Sequence, residues 1–399
     1  MSEKSTGLSA VVALVAVFTL AVTFIIIGAI SEELKLALGI DNSQIGTMVM
    51  LFFLTNVVVQ LVVGPLVDKF GHKPIAVLGF VVTALSMLLL AYAPSFAVAL
   101  ISCVLLGVGA MSLNTVGNTL IPVVLFGGKD PARASNLGNA FFGLGYVLTP
   151  LIFVFFLRSL GLSYSTTLTI IAVVVLVFLV LALIAQYPQV STGFELSMAV
   201  KLLTEGAVLI AAVALFAYIS LEITMATWIK PLMTELYKSV GATNPVAKAG
   251  VVLSLFGVAM MVGRFLSSLV RNLTTIGTKV IAATSFVSVV TILVLSRTKS
   301  PGLAIAMIIL TGLVFAPIFP TVVGVTFAKF EQRLFGSVFG IIFAVGLLGG
   351  TFIPKLIGSV SVGRTVQQSM PIAALMAAIL FVIALFIGKV KGPVQVESE

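Results

Sequence analysis

Charge is the scarcest property of this 399-residue chain. Only 9% of its residues are Asp, Glu, Lys or Arg, 60% are hydrophobic, and the mean hydropathy is +1.26. A soluble domain carries roughly 25% charged residues, so this chain has too little polar surface to face water, and lipid must be its solvent. The net charge of +9 does not indicate nucleic-acid binding, because no basic stripe with interleaved aromatic residues is present.

Histidine and cysteine are almost absent: His72 and Cys103 are the single residues of each type. This excludes a His-rich metal site and a Cys–His catalytic pair. Cys103 lies in an apolar run, cannot form an intrachain disulfide and is expected to pack as a small residue. A Walker glycine loop is also missing, which argues against ATP-driven pumping. The sequence therefore predicts a non-enzyme without cofactor or metal.

Long apolar runs are what the chain has in abundance. A helix needs about 20 residues to cross about 30 Å of hydrocarbon, and continuous runs favour helices over the short alternating strands of a β-barrel. The first run is too long for a signal-peptide core and is interpreted as a span. Twelve transmembrane helices are predicted, at residues 8–31, 45–67, 74–93, 96–126, 134–157, 166–186, 206–234, 249–270, 278–296, 302–328, 335–359 and 368–388.

The basic residues of the connecting loops predict the orientation. Most lie on one side of the predicted spans, whereas the first loop on the other side, "SEELKLALGIDNSQ", is net acidic. The positive-inside rule then places both termini in the cytoplasm. We expect a multi-pass integral protein of the inner (plasma) membrane. The basic residues that carry this expectation are Lys69, Lys73, Lys129, Arg133, Arg271, Lys329 and Arg333.

Internal repetition predicts two six-helix bundles. "GLGYVLTP" (143–150) in the fifth span matches "GLLGGTFIP" (346–354) in the eleventh, and "GRFLSSLVRNLTTIGTK" follows the eighth span where "GPLVDKFGHK" follows the second. The expected domains are an N-terminal bundle at 1–190, a cytoplasmic central loop at 191–205 and a C-terminal bundle at 206–399. Parallel repeats of this kind are typical of secondary transporters.

The stretch "GPLVDKFGHK" (64–73) resembles the loop 2–3 signature of the major facilitator superfamily, with Gly64, Leu66, Asp68, Lys69, Gly71 and Lys73 at matching positions. The resemblance covers nearly the whole chain and implies an all-α membrane protein of twelve helices that works by alternating access. It also implies that Gly64, Asp68, Lys69, Gly71 and Lys73 form a conformational latch. On physical grounds Asp68 can meet the positive N-terminal end of a neighbouring helix; the alternative is that these charges only anchor a loop at the lipid headgroups.

Other segments resemble the fucose–galactose–proton symporter branch of that superfamily. They are "NTVGNTLIPVVLFG" (114–127), "NLGNAFFGLGYVLTPLI" (136–152), "YISLEITMATWI" (218–229) and "FAPIFPTVVG" (315–324). The resemblance implies a sugar or polyol as solute. Gly28 and Asn114 stand where the fucose symporter has acids in its first and fourth spans, which argues against proton coupling through these two positions.

Polar residues inside the predicted spans are the candidate solute-binding residues, because such groups are costly in lipid. Glu222 is also the candidate coupling residue, since a carboxyl in an apolar site can exchange protons near neutral pH. Amides both donate and accept, which suits hydroxyl-rich solutes, although hydrogen bonding between helices is an open alternative. The set comprises Asn56, Gln60, Asn114, Asn118, Asn139, Tyr218, Glu222 and Trp228.

These features predict a secondary active or facilitative transporter of a small polar solute. We expect a monomer in the lipid bilayer, with a co-transported proton or sodium ion as a further partner and no nucleic acid. One alternative is an exporter or flippase of amphipathic lipids or drugs. The other is a non-transporting membrane sensor or scaffold.

Overall fold

The computed structural model describes residues 3–188 and 194–393, and this part of the chain is helical without strands. Short turns of 3₁₀ helix lie at Leu125–Gly128, Leu202–Thr204 and Gln332–Leu334, and a π-helical turn at Phe155–Ser159. The α-helices are α1 (Glu3–Ala29), α2 (Ser31–Leu38), α3 (Asn42–Phe70), α4 (His72–Ala91), α5 (Phe96–Val124), α6 (Pro131–Val154), α7 (Tyr164–Ile184), α8 (Leu196–Lys201), α9 (Gly206–Ser239), α10 (Pro245–Ser268), α11 (Leu273–Leu295), α12 (Pro301–Phe315), α13 (Ile318–Phe327), α14 (Phe335–Val360), α15 (Val366–Ser369) and α16 (Pro371–Ile387).

Within the described residues, twelve helical segments are long and apolar enough to cross a membrane. This confirms the predicted all-α membrane fold, and each predicted span overlaps one of these segments. The tenth crossing consists of α12 and α13 with a break at Ala316 and Pro317. The short helices α2 and α8 lie between crossings, α2 within the loop that the sequence marked as acidic.

The predicted loop after the second span is much shorter than expected. Asp68 and Lys69 belong to the last turn of α3, α4 begins at His72, and Gly71 alone separates the two helices. The chain can reverse within one residue because Gly71 has φ +82°, which is unfavourable for residues with a Cβ. Pro74 lies in the first turn of α4, where its missing N–H costs no hydrogen bond.

The chain forms two compact units. The first comprises Met1–Gly128, Phe141–Ala199 and Gln332–Gly340; the second comprises Lys129–Ala140, Val200–Glu331 and Ile341–Glu399. Each unit therefore consists of one half of the sequence plus a short segment of the other half. Two of the unit boundaries fall inside α6 and α14, the helices that carry the repeated glycine–proline motif.

The repeated motif makes the same kind of contact in each unit. In the first unit, a Cβ on Gly145 would lie 2.7 Å from the carbonyl oxygen of Phe18 in α1. In the second unit, a Cβ on Gly349 would lie 2.2 Å from the carbonyl oxygen of Phe216 in α9. Both distances are too short for any side chain, so glycine is required where the backbones meet.

Candidate functional site

A cluster of uncharged polar side chains lies inside the first unit, between α3 and α5. The Gln60 amide donates to Thr115 Oγ1 at 3.1 Å, Asn114 donates to Gln60 Oε1 at 3.0 Å, and Asn118 donates to Asn114 Oδ1 at 2.8 Å. All four side chains are buried. Asn114 and Asn118 meet because residues four apart share one face of a helix. We call Gln60, Asn114, Thr115 and Asn118 the amide cluster.

Asn56 lies one helical turn before Gln60 and is also fully buried. Among the described residues, neither its amide nitrogen nor its amide oxygen has a hydrogen-bond partner. A buried amide without partners costs about 1–3 kcal/mol. Its oxygen approaches Gly107 of α5, where a Cβ would lie 3.0 Å from Oδ1. Asn56 therefore offers a donor and an acceptor to a water molecule or a solute.

The second unit has a charged polar centre between α9 and α10. Arg264 Nη2 donates to Glu222 Oε1 at 2.9 Å, and Arg264 Nη1 donates to the backbone carbonyl of Asn139 at 3.5 Å. The Arg264 side chain is 4% exposed and that of Glu222 is 24% exposed. The buried Tyr218 hydroxyl interacts electrostatically with both charges. We call Glu222 and Arg264 the ion pair.

Asp68 binds the N-terminal end of α14 within the first unit. Its two carboxylate oxygens accept from the backbone N–H groups of Gly336 and Ser337, each at 2.7 Å. The first N–H groups of a helix have no partner in the helix itself and carry a partial positive charge, so a carboxylate stabilises them. Gly64 allows the approach, because a Cβ there would lie 2.4 Å from the Gly336 carbonyl oxygen.

The other predicted latch residues lie around this contact. Gly71 forms the turn described above, and the Lys69 and Lys73 side chains are exposed. Lys69 Nζ lies 5.2 Å from the centroid of the Phe70 ring, a cation–π distance. His72 takes a position that the signature usually gives to Arg or another basic residue. Its Nε2 lies 3.1 Å from Thr119 Oγ1 of α5.

A second carboxylate binds a helix end in the second unit. Asp130 precedes α6 and accepts from the Arg133 N–H of that helix at 3.2 Å. It also accepts from the N–H groups of Leu273 and Thr274 at 3.0 Å and from Thr274 Oγ1 at 2.6 Å, all at the start of α11. Arg133 Nε donates to the Ser268 carbonyl at the end of α10, at 2.8 Å. Opposite charges thus meet opposite helix ends, as the helix dipoles favour.

The sequence profile of the Major Facilitator Superfamily matches residues 12–354, most of the chain. The chain belongs to the Major Facilitator Superfamily. No curated protein sequence matches it. Asp68 is the acidic residue of the loop 2–3 signature at residues 64–73, which predicted this superfamily.

Solved structures of superfamily transporters share the fold at low sequence identity. FucP, the Escherichia coli fucose:proton symporter, is 18% identical with a TM-score of 0.78, covering 95% of this chain and 98% of FucP. The proton:xylose symporter XylE is 14% identical with a TM-score of 0.76, covering 98% and 96%. The human organic anion transporter MFSD10 is 14% identical with a TM-score of 0.67, covering 96% and 100%. The fold is that of transporters, not enzymes.

The side chains of two further candidates in the second unit, Trp228 and Asn139, donate to groups outside the ion pair. Trp228 lies on α9 with Glu222 but donates from Nε1 to the Pro354 carbonyl of α14 at 3.1 Å, away from the ion pair. The Asn139 side chain donates to the Ser135 carbonyl at 3.0 Å within α6, while its backbone carbonyl receives Arg264. Among the described residues, none beyond its neighbours in the helix lies within 4 Å of the position that a Cβ on Gly28 would occupy.

Sequence reasoning missed Arg264 and Asp130. Arg264 lies inside the predicted span 249–270, and a charged residue at that depth was the available signal. Asp130 was assigned to a connecting loop, although Asp followed by Pro is a typical start of a helix. Glu222 lies on α9, and the N–H groups of Leu273 and Thr274 lie on α11, so neither of these long-range contacts was visible from local spacing.

Proposed function

We propose that this protein is an alternating-access transporter of a small polar solute, of the sugar or polyol class. The observation that carries the proposal is the burial of polar side chains in membrane-spanning helices, where they are too costly to be kept without a role. Two structural neighbours, a fucose:proton and a xylose:proton symporter, support the sugar class and a proton as the coupled ion.

The amide cluster is proposed to hydrogen-bond solute hydroxyls. Each amide offers two donors and two acceptor lone pairs, which matches a hydroxyl that both donates and accepts. The cluster is linked by bonds that can be exchanged for bonds to a solute, and Asn56 has an amide that needs a partner. The other candidates of this proposal are Asn139, Tyr218, Glu222 and Trp228.

Glu222 is proposed to carry the coupling proton. It is the acidic member of the ion pair, and its side chain is 24% exposed, so a proton can reach it. Asp68 and its motif are proposed to act as the latch, since the carboxylate holds two N–H groups at the start of α14 that have no partner within that helix. Both termini are proposed to lie in the cytoplasm, from the basic loops.

Solute uptake into proteoliposomes tests the function. Purified protein is reconstituted, and counterflow of labelled L-fucose, D-xylose, D-galactose and sorbitol is measured against protein-free liposomes. We expect saturable counterflow of at least one of these solutes. Accumulation under an imposed inward proton gradient, absent in Glu222→Gln, would support coupling through Glu222. No counterflow of any of these solutes, together with transport of a lipid or drug analogue, would contradict the sugar class.

The matched control is Glu235→Gln, on the same helix α9. Glu235 accepts from the Val366 N–H at 3.0 and 3.2 Å and lies more than three turns beyond Glu222. It is a glutamate in a helix-capping role, so its substitution removes a carboxylate without touching the ion pair. We expect this variant to accumulate solute as wild type does.

A further inference from the structure

Arg264 is buried behind Glu222 in the second unit. The guanidinium side chain is 4% exposed, whereas the carboxylate bound to it is 24% exposed. The carboxylate is therefore the more accessible member of the ion pair. Arg264 Nη1 also donates to the Asn139 carbonyl, which orients the planar group.

The two charges of the ion pair are not equivalent in their chemistry. Arginine stays protonated in proteins, whereas a glutamate can take up a proton. A buried guanidinium without a counter-charge is strongly unfavourable. Protonation of Glu222 therefore requires that another anion take its place on Arg264. A neutral sugar cannot do so, but a carboxylate can, because its two oxygens match the fork of the guanidinium.

Few other charges can intervene. Among the described residues, Glu222 interacts with Arg264 and Tyr218, and Tyr218 is neutral at physiological pH. Four helices packed on α9, namely α12, α13, α15 and α16, contain no ionisable side chain. The cations on the remaining neighbours lie towards helix ends or are exposed. Lys248 lies about 24 Å along α10 from Arg264. Arg133 is bound to the Ser268 carbonyl, and Lys355 is exposed.

We propose that the solute carries a carboxylate, and that this carboxylate replaces Glu222 on Arg264 when Glu222 takes up a proton. The inference rests on the proposed transport function and narrows its solute from sugars and polyols to hydroxylated acids. In the binding step, one proton passes from water to a Glu222 oxygen, the Glu222–Arg264 ion pair breaks, and an ion pair between the solute carboxylate and Arg264 forms. One anion and one proton enter together, so the net charge of the site is unchanged.

The charge balance has two measurable consequences for binding of the anion. If binding of the anion takes up one proton, its apparent Kd weakens about tenfold for each unit by which the pH rises. In Glu222→Gln the counter-charge is already absent, so anion binding is tighter at high pH and independent of pH. A Glu222 that merely bonds a neutral solute predicts the reverse, a loss of binding in this variant.

Matched solute pairs test the inference on the purified full-length protein. Thermal unfolding and calorimetric titration are carried out at pH 5.5 and 8 with gluconate against sorbitol and with galacturonate against galactose. We expect the acid of at least one pair to raise Tm more than its neutral partner, and to do so more strongly at pH 5.5. Glu235→Gln is the control and is expected to keep this difference.

The variant that removes the site is the double substitution Arg264→Gln with Glu222→Gln, which leaves no unpaired charge and is expected to fold. It should lose the preference for the acid, whereas Glu222→Gln alone should keep it without the dependence on pH. If neither acid binds better than its neutral partner, or if Glu222→Gln abolishes acid binding, the inference is wrong. Counterflow of sorbitol or galactose in that case would leave the transport function standing, so the two failures are distinguishable.

Discussion

The polar centres of the two units differ in charge. The amide cluster of the first unit is neutral, and each of its hydrogen bonds can be replaced by one to water or to a solute hydroxyl. The second unit instead holds a guanidinium that is 4% exposed and a carboxylate that compensates it. Substitution of one residue in a neutral cluster costs about the free energy of a hydrogen bond. Substitution of one residue in an ion pair costs more, because it leaves the other charge buried without a partner.

The helix ends bound by Asp68 and Asp130 differ in a related way. Asp68 lies at the end of α3 and caps one helix, α14, through two N–H groups. In the repeat that begins at Gly263, Ser267 stands where Asp68 follows Gly64, and the carboxylate comes instead from Asp130 before α6. Asp130 caps α6 and α11 together. In both units a carboxylate stabilises a helix N-terminus, but it comes from the end of α3 in the first unit and from the residue before α6 in the second.

The largest expected effect is that of breaking the ion pair. Arg264→Gln alone should lower the free energy of unfolding by about 3 kcal/mol, because Glu222 is left partly buried without its counter-charge. The double variant with Glu222→Gln should recover most of this loss. Thermal and denaturant unfolding in detergent measures both.

A substitution in the amide cluster of the first unit is expected to cost less than breaking the ion pair. Asn114→Ala should cost only about 1–2 kcal/mol, since the lost bonds are neutral. If Arg264→Gln were no worse than Asn114→Ala, the distinction between the charged and the neutral centre would fail. Lys230→Gln, an exposed cation on α9, should leave stability unchanged.

The next effect is that of Asp130→Asn, which should destabilise the second unit by about 2 kcal/mol because the carboxylate accepts from two helix ends. Thr274→Val removes only one of these bonds, that from Oγ1, and should cost less. Unfolding measurements on the two variants test the order. An equal loss for both would show that the hydroxyl, and not the carboxylate, holds the contact.

Asp68→Asn should act on rate more than on affinity. The substitution weakens the cap on α14 without changing the polar centres, so turnover should fall about tenfold, or about 1.4 kcal/mol, while the solute Kd changes little. Initial rates in proteoliposomes and calorimetric binding separate the two quantities. Unchanged turnover would contradict a latch at this contact.

The smallest perturbation probes whether the amide cluster is reached by solute. In a Cys103→Ser background, a cysteine in place of Asn114 or Asn118 should react with a small water-soluble thiol reagent, and the transported solute should slow the reaction. Thr243→Cys, in an exposed connection between α9 and α10, is the positive control. Cysteines that stay inert at both cluster positions would indicate that the amides only join helices.

Much of the fold could be predicted because its determinants are local. A run of about 20 apolar residues must be helical in lipid, since the backbone has no other hydrogen-bond partner there. A separation of four residues on one helix is likewise enough to place Asn114 beside Asn118. The least accurate feature was the turn after α3, where one glycine replaced an expected loop, because helix ends depend on single backbone angles.

By itself, the sequence determined the twelve apolar helices, the repeated glycine–proline motif and the amide pair on α5, all properties of neighbouring residues. Only the tertiary structure decided which charges meet. The bond from Gly336 to Asp68 joins residues 268 positions apart, and that from Arg264 to Glu222 joins residues 42 positions apart on different helices. A buried charge requires a partner wherever the fold supplies one, so the partner is determined by the packing of helices and not by spacing along the chain.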